Sequence, residues 1–429
     1  MLESIIIYSL LALCMILCGK YAAQRCCRYV GGSGVYKDRG TFFTPEIIVL
    51  LLSFGFIFGC RWGVGRDYFR YLLSYSGEIP VRWDFLFLNI SRIIKNVGGH
   101  YSVFFGFWAF ADVFLLYYAV RKYKFIYPYI AFFLIFGSFY LPMMNTIRQE
   151  VAAGVFLLSI YSVDKKKIVG FIICCIIAVM LHKLSMILFI AYPLLRVGKN
   201  WFDKVSVQLL LYAFAIFIHY NGDLLIRWIE TPFELLTGAM DYDNYQYETI
   251  LEAEWDSRNR FGNNTGLGII SQMLKTVPII IFSKQLKEYY KSSYFNLLYV
   301  LYFASAIFTL LFGNSIILNR VNYFMGNFPI IVYSFYVYYC FNTGIRKMRK
   351  WGLLIMLIQI PLFINMLSNS ASTAQYSFYW ENDFETPDVL MLGTGNVLML
   401  GTDDGTSFGN NGMNVTGNGL NGTNNDVND

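Results

Sequence analysis

The 429-residue sequence contains little charge, since only 14% of its residues are Asp, Glu, Lys or Arg. Soluble globular domains carry about 25% charged residues, so this composition excludes an ordinary soluble domain. The apolar share is 56%, and long uncharged runs recur along the chain. About twelve runs approach the roughly 20 residues that a helix needs to cross a bilayer. We therefore predict an all-α, polytopic membrane protein with about 12 transmembrane helices.

Recognisable metal, disulfide and nucleotide motifs are also missing. None of the eight cysteines forms a Cys-x-x-Cys spacing with a partner, and most lie in or beside apolar runs. We predict no metal site, no cofactor and no nucleic-acid partner. The first apolar run contains Glu3 and has neither a positive leading region nor a clear cleavage site. It is therefore more typical of a membrane span than of a signal peptide.

Lysine and arginine are absent from the end of the chain. The residues after 368 are rich in Gly, Asn and Thr, and residues 403–429 lack the apolar content needed to build a core. We predict a polytopic membrane domain over 1–368 and a disordered, polar Gly/Asn-rich tail over 369–429.

The basic residues divide unevenly between the two sides of the predicted membrane domain. Lysine-rich alternate loops are expected on the cytoplasmic side, which places the N-terminus outside. The outer side carries only two lysines, Lys95 and Lys183, beside a series of arginines: Arg61, Arg66, Arg70, Arg82, Arg92, Arg148, Arg227, Arg258, Arg260 and Arg320. Arginine binds phosphate in a bidentate manner, whereas lysine is a hydrated point charge. We predict an outer face that binds an anionic, phosphorylated substrate.

The segment 145–150 opens one of the apolar runs. Pro142 is expected to end the preceding run, and Asn145 or Thr146 to cap the new helix through a side-chain oxygen. A helix start carries unpaired N–H groups and partial positive charge, and Arg148 lies in its first turn. The position favours an anion site, although a single arginine that reaches for lipid headgroups remains an alternative.

Two long external loops, 61–100 and 223–266, supply further candidates. In the first loop, one helix face is expected to carry Asp67, Arg70 and Tyr71, with Arg66 nearby. Asp67 is then either a catalytic base held in place by its neighbours or part of an internal ion pair. The segment 82–97 has the pattern of an amphipathic helix on the outer leaflet. The second loop is rich in acids and aromatics, including Tyr245 and Trp255, which suits sugar binding or simply a solvated loop.

Four further ionisable positions lie in or beside the apolar runs. His182 is expected at an external mouth, as a hydrogen-bonding residue or as a phosphate contact or proton relay. Asp112 and Lys275 fall near the middle of spans, where we expect them to pair or to face a wet cavity. Arg320 is expected at the external start of a late span, which repeats the arrangement around Arg148.

Several short motifs occur in one order along the chain. They are Gly65-Arg66-Asp67-Tyr68 followed by Tyr71, Arg148 before Ala152-Ala153-Gly154, His182 with Ser185, and Arg320-Val321-Asn322-Tyr323. Over roughly residues 40–380 this set resembles the EpsG family of Wzy-type polysaccharide polymerases. The resemblance implies a GT-C-like glycosyltransferase of the bacterial inner membrane. Such an enzyme polymerises undecaprenyl-diphosphate-linked oligosaccharide repeat units at the periplasmic face, in O-antigen or exopolysaccharide biosynthesis, and releases undecaprenyl diphosphate.

The resemblance also suggests partners and roles. Partners are the lipid-linked oligosaccharides, membrane lipids, and a chain-length regulator and flippase of the same pathway. Arg148 and Arg320 are expected to stabilise the leaving diphosphate, His182 to contact phosphate or relay a proton, and Asp67 or an acid of 241–256 to act as base. Substrate-binding residues are expected to be Arg66, Arg70, Tyr71, Tyr245 and Trp255. The rival functions are a lipid-linked oligosaccharide flippase and an O-antigen ligase.

Overall fold

The structure is a computed structural model that describes residues 1–29, 36–38, 40–65, 67–80, 83–197, 203–221, 266–312, 316–369 and 371–382. These ranges are helical apart from loops and one short antiparallel hairpin, in which Cys27–Tyr29 pairs with Tyr36–Asp38. The predicted all-α class is therefore confirmed for the described part of the chain.

The first half contains α1 (Leu2–Cys26), α2 (Pro45–Gly59), α3 (Tyr68–Ser76), α4 (Phe85–Asn96), α5 (Tyr101–Ala119), α6 (Tyr127–Phe136), α7 (Tyr140–Asn145), α8 (Ile147–Asp164), α9 (Ile168–Leu181) and α10 (Ala191–Val197). The second half contains α11 (Val205–Asn221), α12 (Gly266–Ile281), α13 (Ser283–Tyr290), α14 (Ser293–Phe312), α15 (Ile316–Tyr323), α16 (Asn327–Asn342), α17 (Arg346–Asn369) and α18 (Ala371–Ala374). Short 3-10 helices cover Lys124–Ile126, Lys183–Ile190 and Tyr379–Glu381.

Four helices of the described part are long and apolar enough to cross a membrane: α1, α5, α14 and the segment 346–368 of α17. Shorter apolar helices, including α2, α9, α11 and most of α12, accompany them. Length and composition of this kind are those of a membrane protein.

Two apolar runs of the sequence that were expected to be single spans, 125–142 and 184–195, are interrupted. The run 125–142 breaks at Gly137 and Ser138, where Ser138 has a φ of 60°. Pro142 lies in the first turn of α7, where its missing N–H costs nothing, so the expectation that Pro142 ends the run is wrong. The run 184–195 begins as a 3-10 helix after α9 ends at Leu181, so His182 and Lys183 lie at a true break.

Close backbone contact joins α2 to α5. A Cβ on Gly59 would lie 2.8 Å from the Ser102 carbonyl oxygen and 2.9 Å from Gly106 Cα. A larger residue at position 59 would therefore force the two helices apart. Small residues at helix crossings are the usual way for membrane helices to gain packing contacts.

α8 is the central helix of the bundle. It packs against α5, α9 and α14, and most of its residues are buried. Gly154 faces α5 so closely that a Cβ would meet Leu115 side-chain atoms at 2.9 Å. With a rise of about 1.5 Å per residue, the 18 residues of α8 span about 27 Å. Arg148 lies at one end of this helix and Asp164 at the other.

The amphipathic segment of the first external loop is shorter than expected. α4 covers Phe85–Asn96 rather than 82–97, and it contacts α5 and α9. Phe87 and Ser91 are buried, while Phe85 and Ile93 are exposed. The amphipathic character is present, and its place on the outer leaflet stays a prediction.

The chain remains in contact with the bundle beyond the expected start of the tail. The Trp62 amide donates to the Ser377 carbonyl at 2.9 Å, the Gly65 amide to Thr373 at 2.8 Å, and the Tyr379 amide to Cys60 at 3.0 Å. The compact unit accordingly extends from Met1 to Asp383, past the expected boundary at 368. Residues 383–429 lie outside the described residues.

Candidate functional site

The loop before α3 is docked onto the residues that precede α8. Gly65 has a φ of +101°, and a Cβ there would lie 2.6 Å from the Met144 carbonyl oxygen. Only glycine combines this backbone conformation with so close an approach. Two residues later, the Asp67 amide donates to Asn145 Oδ1 at 3.0 Å. The Gly-Arg-Asp-Tyr motif therefore places Asp67 beside the start of α8.

The cap of α8 differs from the expectation. Thr146 is the N-cap residue, but its hydroxyl donates back to the Pro142 carbonyl at 3.2 Å and makes no capping bond. The Asn145 carboxamide binds Asp67 instead of the free amides of α8. The prediction that Asn145 or Thr146 caps the helix with a side-chain oxygen is wrong, because both side chains are used to hold neighbouring segments.

Arg148 forms an ion pair with Asp84, the residue immediately before α4. Arg148 Nη1 donates to Asp84 Oδ2 at 2.9 Å, and the Lys183 amide donates to Asp84 Oδ1 at 3.2 Å. The side chains are 26% and 9% exposed, respectively. One carboxylate thus joins the starts of α4 and α8 to the residue that follows His182.

Asp84 was not among the sequence candidates. The helical pattern of 82–97 assigned it only to the polar side of an amphipathic helix. The sequence feature that could have identified Asp84 is its position directly before α4, because a carboxylate is common at a helix N-cap. Burial raises the pKa of Asp84, and the nearby Arg148 charge opposes that rise.

His182 is buried, and the next residue is tied through Asp84 to Arg148. It follows α9 outside the apolar helix, and its ring packs against Phe324 with centroids 6.1 Å apart. Burial, together with the positive charges of Arg148 and Arg320, lowers the pKa of His182 to about 3. The imidazole is therefore neutral at neutral pH.

Arg320 reaches the group from a helix end rather than a helix start. It lies in the last turn of α15, so the expected repetition of the Arg148 arrangement is wrong. The Gln149 side-chain amide donates to the Arg320 carbonyl. Asn322 donates to Thr309 Oγ1 at 2.8 Å and accepts from Ser305 Oγ at 3.2 Å. These bonds fix α15 to α8 and α14 and explain the Asn of the Arg-Val-Asn-Tyr motif.

Tyr71 completes the group on the side of α3. Its side chain is 7% exposed, and its ring lies 6.0 Å from that of Trp83. Burial raises the pKa of Tyr71, the Arg148 charge and hydrogen bonding oppose the rise, and the Asp67 charge adds to it. Tyr71 is therefore close to both Arg148 and Asp67.

The remaining predicted site residues are one exposed arginine and several residues that the structure does not describe. Arg70 lies on α3 with an exposed side chain. Arg66, Tyr245 and Trp255 lie outside the described residues, as do the acids of 241–256. Their roles stay predictions.

Two further charged positions differ from what the sequence suggested. Arg61 is fully buried, bonds to the carbonyls of Phe58 and Val64, and stacks 4.5 Å from the Phe105 ring. It is a structural residue of the loop, not part of an open anion surface. Asp112 is 3% exposed, and its charged neighbours in the described part of the chain are Glu150 and Arg61, not Lys275.

The group of Asp67, Tyr71, Asp84, Arg148, His182 and Arg320 comes from five different elements. Two guanidinium groups beside a neutral imidazole and a phenol can bind a diphosphate through charge and hydrogen bonds. Within the described ranges, no group of three or more His, Cys, Asp or Glu side chains could hold a metal ion.

Comparison with known proteins gives one match. The model of the EpsG family matches residues 47–379, which include every residue of this group. No curated protein and no solved structure matches the chain. The matched range covers more than half of the sequence and contains all the ordered motifs, from Gly65 to Tyr323. The chain therefore belongs to the EpsG family, and this membership indicates a membrane protein of polysaccharide biosynthesis.

Proposed function

We propose that the protein polymerises undecaprenyl-diphosphate-linked oligosaccharide repeat units at the periplasmic face of the bacterial inner membrane. The scaffold would be GT-C-like, with about twelve spans. The observation that carries this proposal is a set of hydrogen bonds: Asp84 joins Arg148 to the residue after His182, and Gln149 bonds the Arg320 carbonyl. The electropositive centre lies in a chain that belongs to a polysaccharide family, and it matches the diphosphate of a lipid-linked sugar.

The reaction is a glycosyl transfer. A hydroxyl oxygen at the non-reducing end of the acceptor unit forms a bond to the anomeric carbon of the donor glycan. The bond from that carbon to the diphosphate oxygen breaks, and undecaprenyl diphosphate leaves with the electron pair. The hydroxyl proton passes to a carboxylate base, which is Asp67 or an acid of the 241–256 loop.

Arg148 and Arg320 stabilise the charge that develops on the leaving diphosphate. Fixed charges aimed at such a group supply the largest part of many rate enhancements. Asp84 acts through Arg148 as a positioning residue, because it holds the guanidinium and the chain beside His182 at once. The neutral His182 supplies a hydrogen bond to phosphate. Arg66, Arg70, Tyr71, Tyr245 and Trp255 bind the rest of the substrate in this proposal.

A flippase for the same lipid-linked substrate is the second candidate. The observation that favours it is the pair of buried acids, Asp112 and Glu150, inside the bundle. Ionisable groups at this depth are typical of proton pathways in transporters. An O-antigen ligase also uses an external anion site, and the same experiment separates it from a polymerase.

The test is gel analysis of surface polysaccharide from cells that lack the protein. Plasmids supply wild type, Arg148→Ala, Arg320→Ala or the matched control Arg92→Ala, an exposed arginine on α4. Polymerisation predicts single repeat units on the lipid core in the null strain, and a ladder restored by wild type and Arg92→Ala only. Full ladders from Arg148→Ala at normal expression contradict the proposal. Loss of even single units in the null strain favours the flippase or the ligase.

A further inference from the structure

A polar cavity lies at the end of α8 that is remote from the candidate site. Its volume is about 260 Å³. It forms where the residues after α5, the end of α8 and the connection from α13 to α14 meet. Tyr161 lines it, and at about 1.5 Å per residue of helix Tyr161 lies about 20 Å from Arg148. The cavity is therefore separate from the group around His182.

The lining of this cavity has a large excess of positive charge. Its charged members are four basic residues, Arg121, Lys122, Lys165 and Lys291, and one acid, Asp164. Asp164 is already paired with Lys165 at 2.9 Å and accepts a hydrogen bond from Ser293. The other three basic residues lie around the same cavity with no second carboxylate in its lining. Such a concentration of one charge attracts anions.

The basic side chains converge on one aromatic ring. Lys122 Nζ lies 5.0 Å, Arg121 Cζ 5.4 Å and Lys165 Nζ 5.7 Å from the centroid of Tyr161. Interaction with the ring face offsets part of the repulsion between these cations and keeps them near one another. Three cations therefore lie near the same ring at the cavity, while the Lys122 and Lys165 side chains remain exposed to solvent.

The opposite wall of the cavity is held by hydrogen bonds. Ser292 caps α14, since its Oγ accepts from the Phe295 amide at 3.2 Å, and it also bonds the Tyr123 hydroxyl at 2.7 Å. Tyr294 donates to the Ala119 carbonyl at 3.1 Å. These bonds join the α14 start to the end of α5. The cavity therefore keeps its shape without a ligand, which lowers the entropic cost of binding one.

We propose that this cavity binds a phosphate group, carried by an anionic membrane lipid or free in solution. Arginine and lysine around a small polar cavity suit phosphate chemistry. Basic pockets between membrane helices on the cytoplasmic side are a known mode of lipid headgroup binding. The orientation predicted from the sequence places this end of α8 on that side. The proposal does not depend on the reaction at the other end of the helix.

The test uses full-length protein purified in detergent and a thermal unfolding midpoint followed by tryptophan fluorescence. Short-chain phosphatidylglycerol, short-chain phosphatidylcholine and inorganic phosphate are titrated separately. The variant is Arg121→Gln/Lys122→Gln. The matched control is Lys166→Gln/Lys167→Gln, which removes the same charge from exposed lysines that do not line the cavity.

We expect phosphatidylglycerol to raise the midpoint of wild type and control, and phosphatidylcholine to have no effect. Each basic residue contributes about fivefold to binding of an anionic lipid, so the cavity variant should need about 25-fold more lipid. An equal response to inorganic phosphate, lost in the same variant, identifies free phosphate as the source. Equal weakening in both double variants, or no rise with either anionic probe, overturns the proposal. If the double variant is not recovered folded, Lys122→Gln alone should show about a fivefold change.

Discussion

Replacing Asp84 with asparagine removes the negative charge beside Arg148 and keeps the size of the side chain. Two unit charges about 4 Å apart near a protein surface interact by about 4 kcal/mol before solvent screening. The Arg148 side chain is 26% exposed, so part of this energy is screened. Hydrogen bonds to charged groups contribute about 1.5–3 kcal/mol net. If this energy positions Arg148 for the transition state, the rate should fall about 10- to 100-fold.

The assay is polymerisation by purified protein with a lipid-linked repeat unit, followed on gels over a range of pH. The raised pKa of Asp84 means that its carboxyl takes up a proton at a higher pH than an ordinary aspartate. We expect the wild-type rate to fall as the pH drops through the pKa of Asp84, because the ion pair with Arg148 is lost. Asp84→Asn should show a low rate throughout and lack the part of the acid-side fall that comes from Asp84, while protonation of the catalytic base lowers the rate in both proteins.

The direction of the Asp84 pKa shift distinguishes a loss of stability from a loss of Arg148 positioning. A carboxyl whose pKa is raised on folding contributes stability below its unfolded pKa and loses it as pH rises. The folded protein is therefore less stable with ionised Asp84 than with protonated Asp84, and Asp84→Asn, which resembles the protonated form, should unfold at about the wild-type temperature. The matched control is Glu78→Gln, an exposed acid after α3. A wild-type rate in Asp84→Asn, with the acid-side fall unchanged, refutes the positioning role.

Three more predictions address the group around Arg148. Gly65→Ala should abolish polymer and lower the unfolding temperature, because a Cβ meets the Met144 carbonyl at 2.6 Å, while Gly98→Ala, with open space around it, should cost only about 1–3 kcal/mol of backbone strain in unfolding assays. Asn322→Ala should destabilise the protein by about 1–2 kcal/mol in denaturant titrations, since it loses bonds that fix α15 to α14. Because the pKa of His182 is lowered, this imidazole should not change its protonation, or the rate, between pH 6 and 8. The measurement is the pH dependence of the rate in wild type and His182→Gln. A step near pH 6.5 that is present in wild type and absent in His182→Gln contradicts the neutral state of His182.

Composition and motif order were sufficient to predict the helical class, the family and most of the group. The charged share of 14% identified a membrane protein without any knowledge of contacts. Arg148, His182 and Arg320 were chosen because arginine and histidine on one predicted side suit a phosphate. The bonds of Asp84 and Gln149 bring the three segments that carry them together, although their catalytic roles stay predictions.

The partners of these residues could not be predicted because they come from distant segments. Asp84 and Arg148 are 64 positions apart, and helical periodicity reports only contacts within one helix. The same limit applies to Asn145. Its side chain accepts from the Asp67 amide, 78 positions away, and so does not cap α8. Arg320 was assigned to a helix start because the short helix α15 merges with the following apolar run in the sequence.

The return of residues 371–382 to the start of the chain bears on how the gene can be shortened or fused. The Tyr376 amide donates to Ser4 Oγ at 2.9 Å, and its hydroxyl donates to the Ile57 carbonyl at 2.7 Å. The Thr373 carbonyl accepts from the Gly65 amide. A stop codon or reporter placed directly after α17 keeps every apolar helix but removes these bonds. Such truncated proteins would insert normally and still lose the docked Gly65 loop. Reporter fusions intended to measure topology should therefore join after Asn382, where the last described hydrogen bonds end.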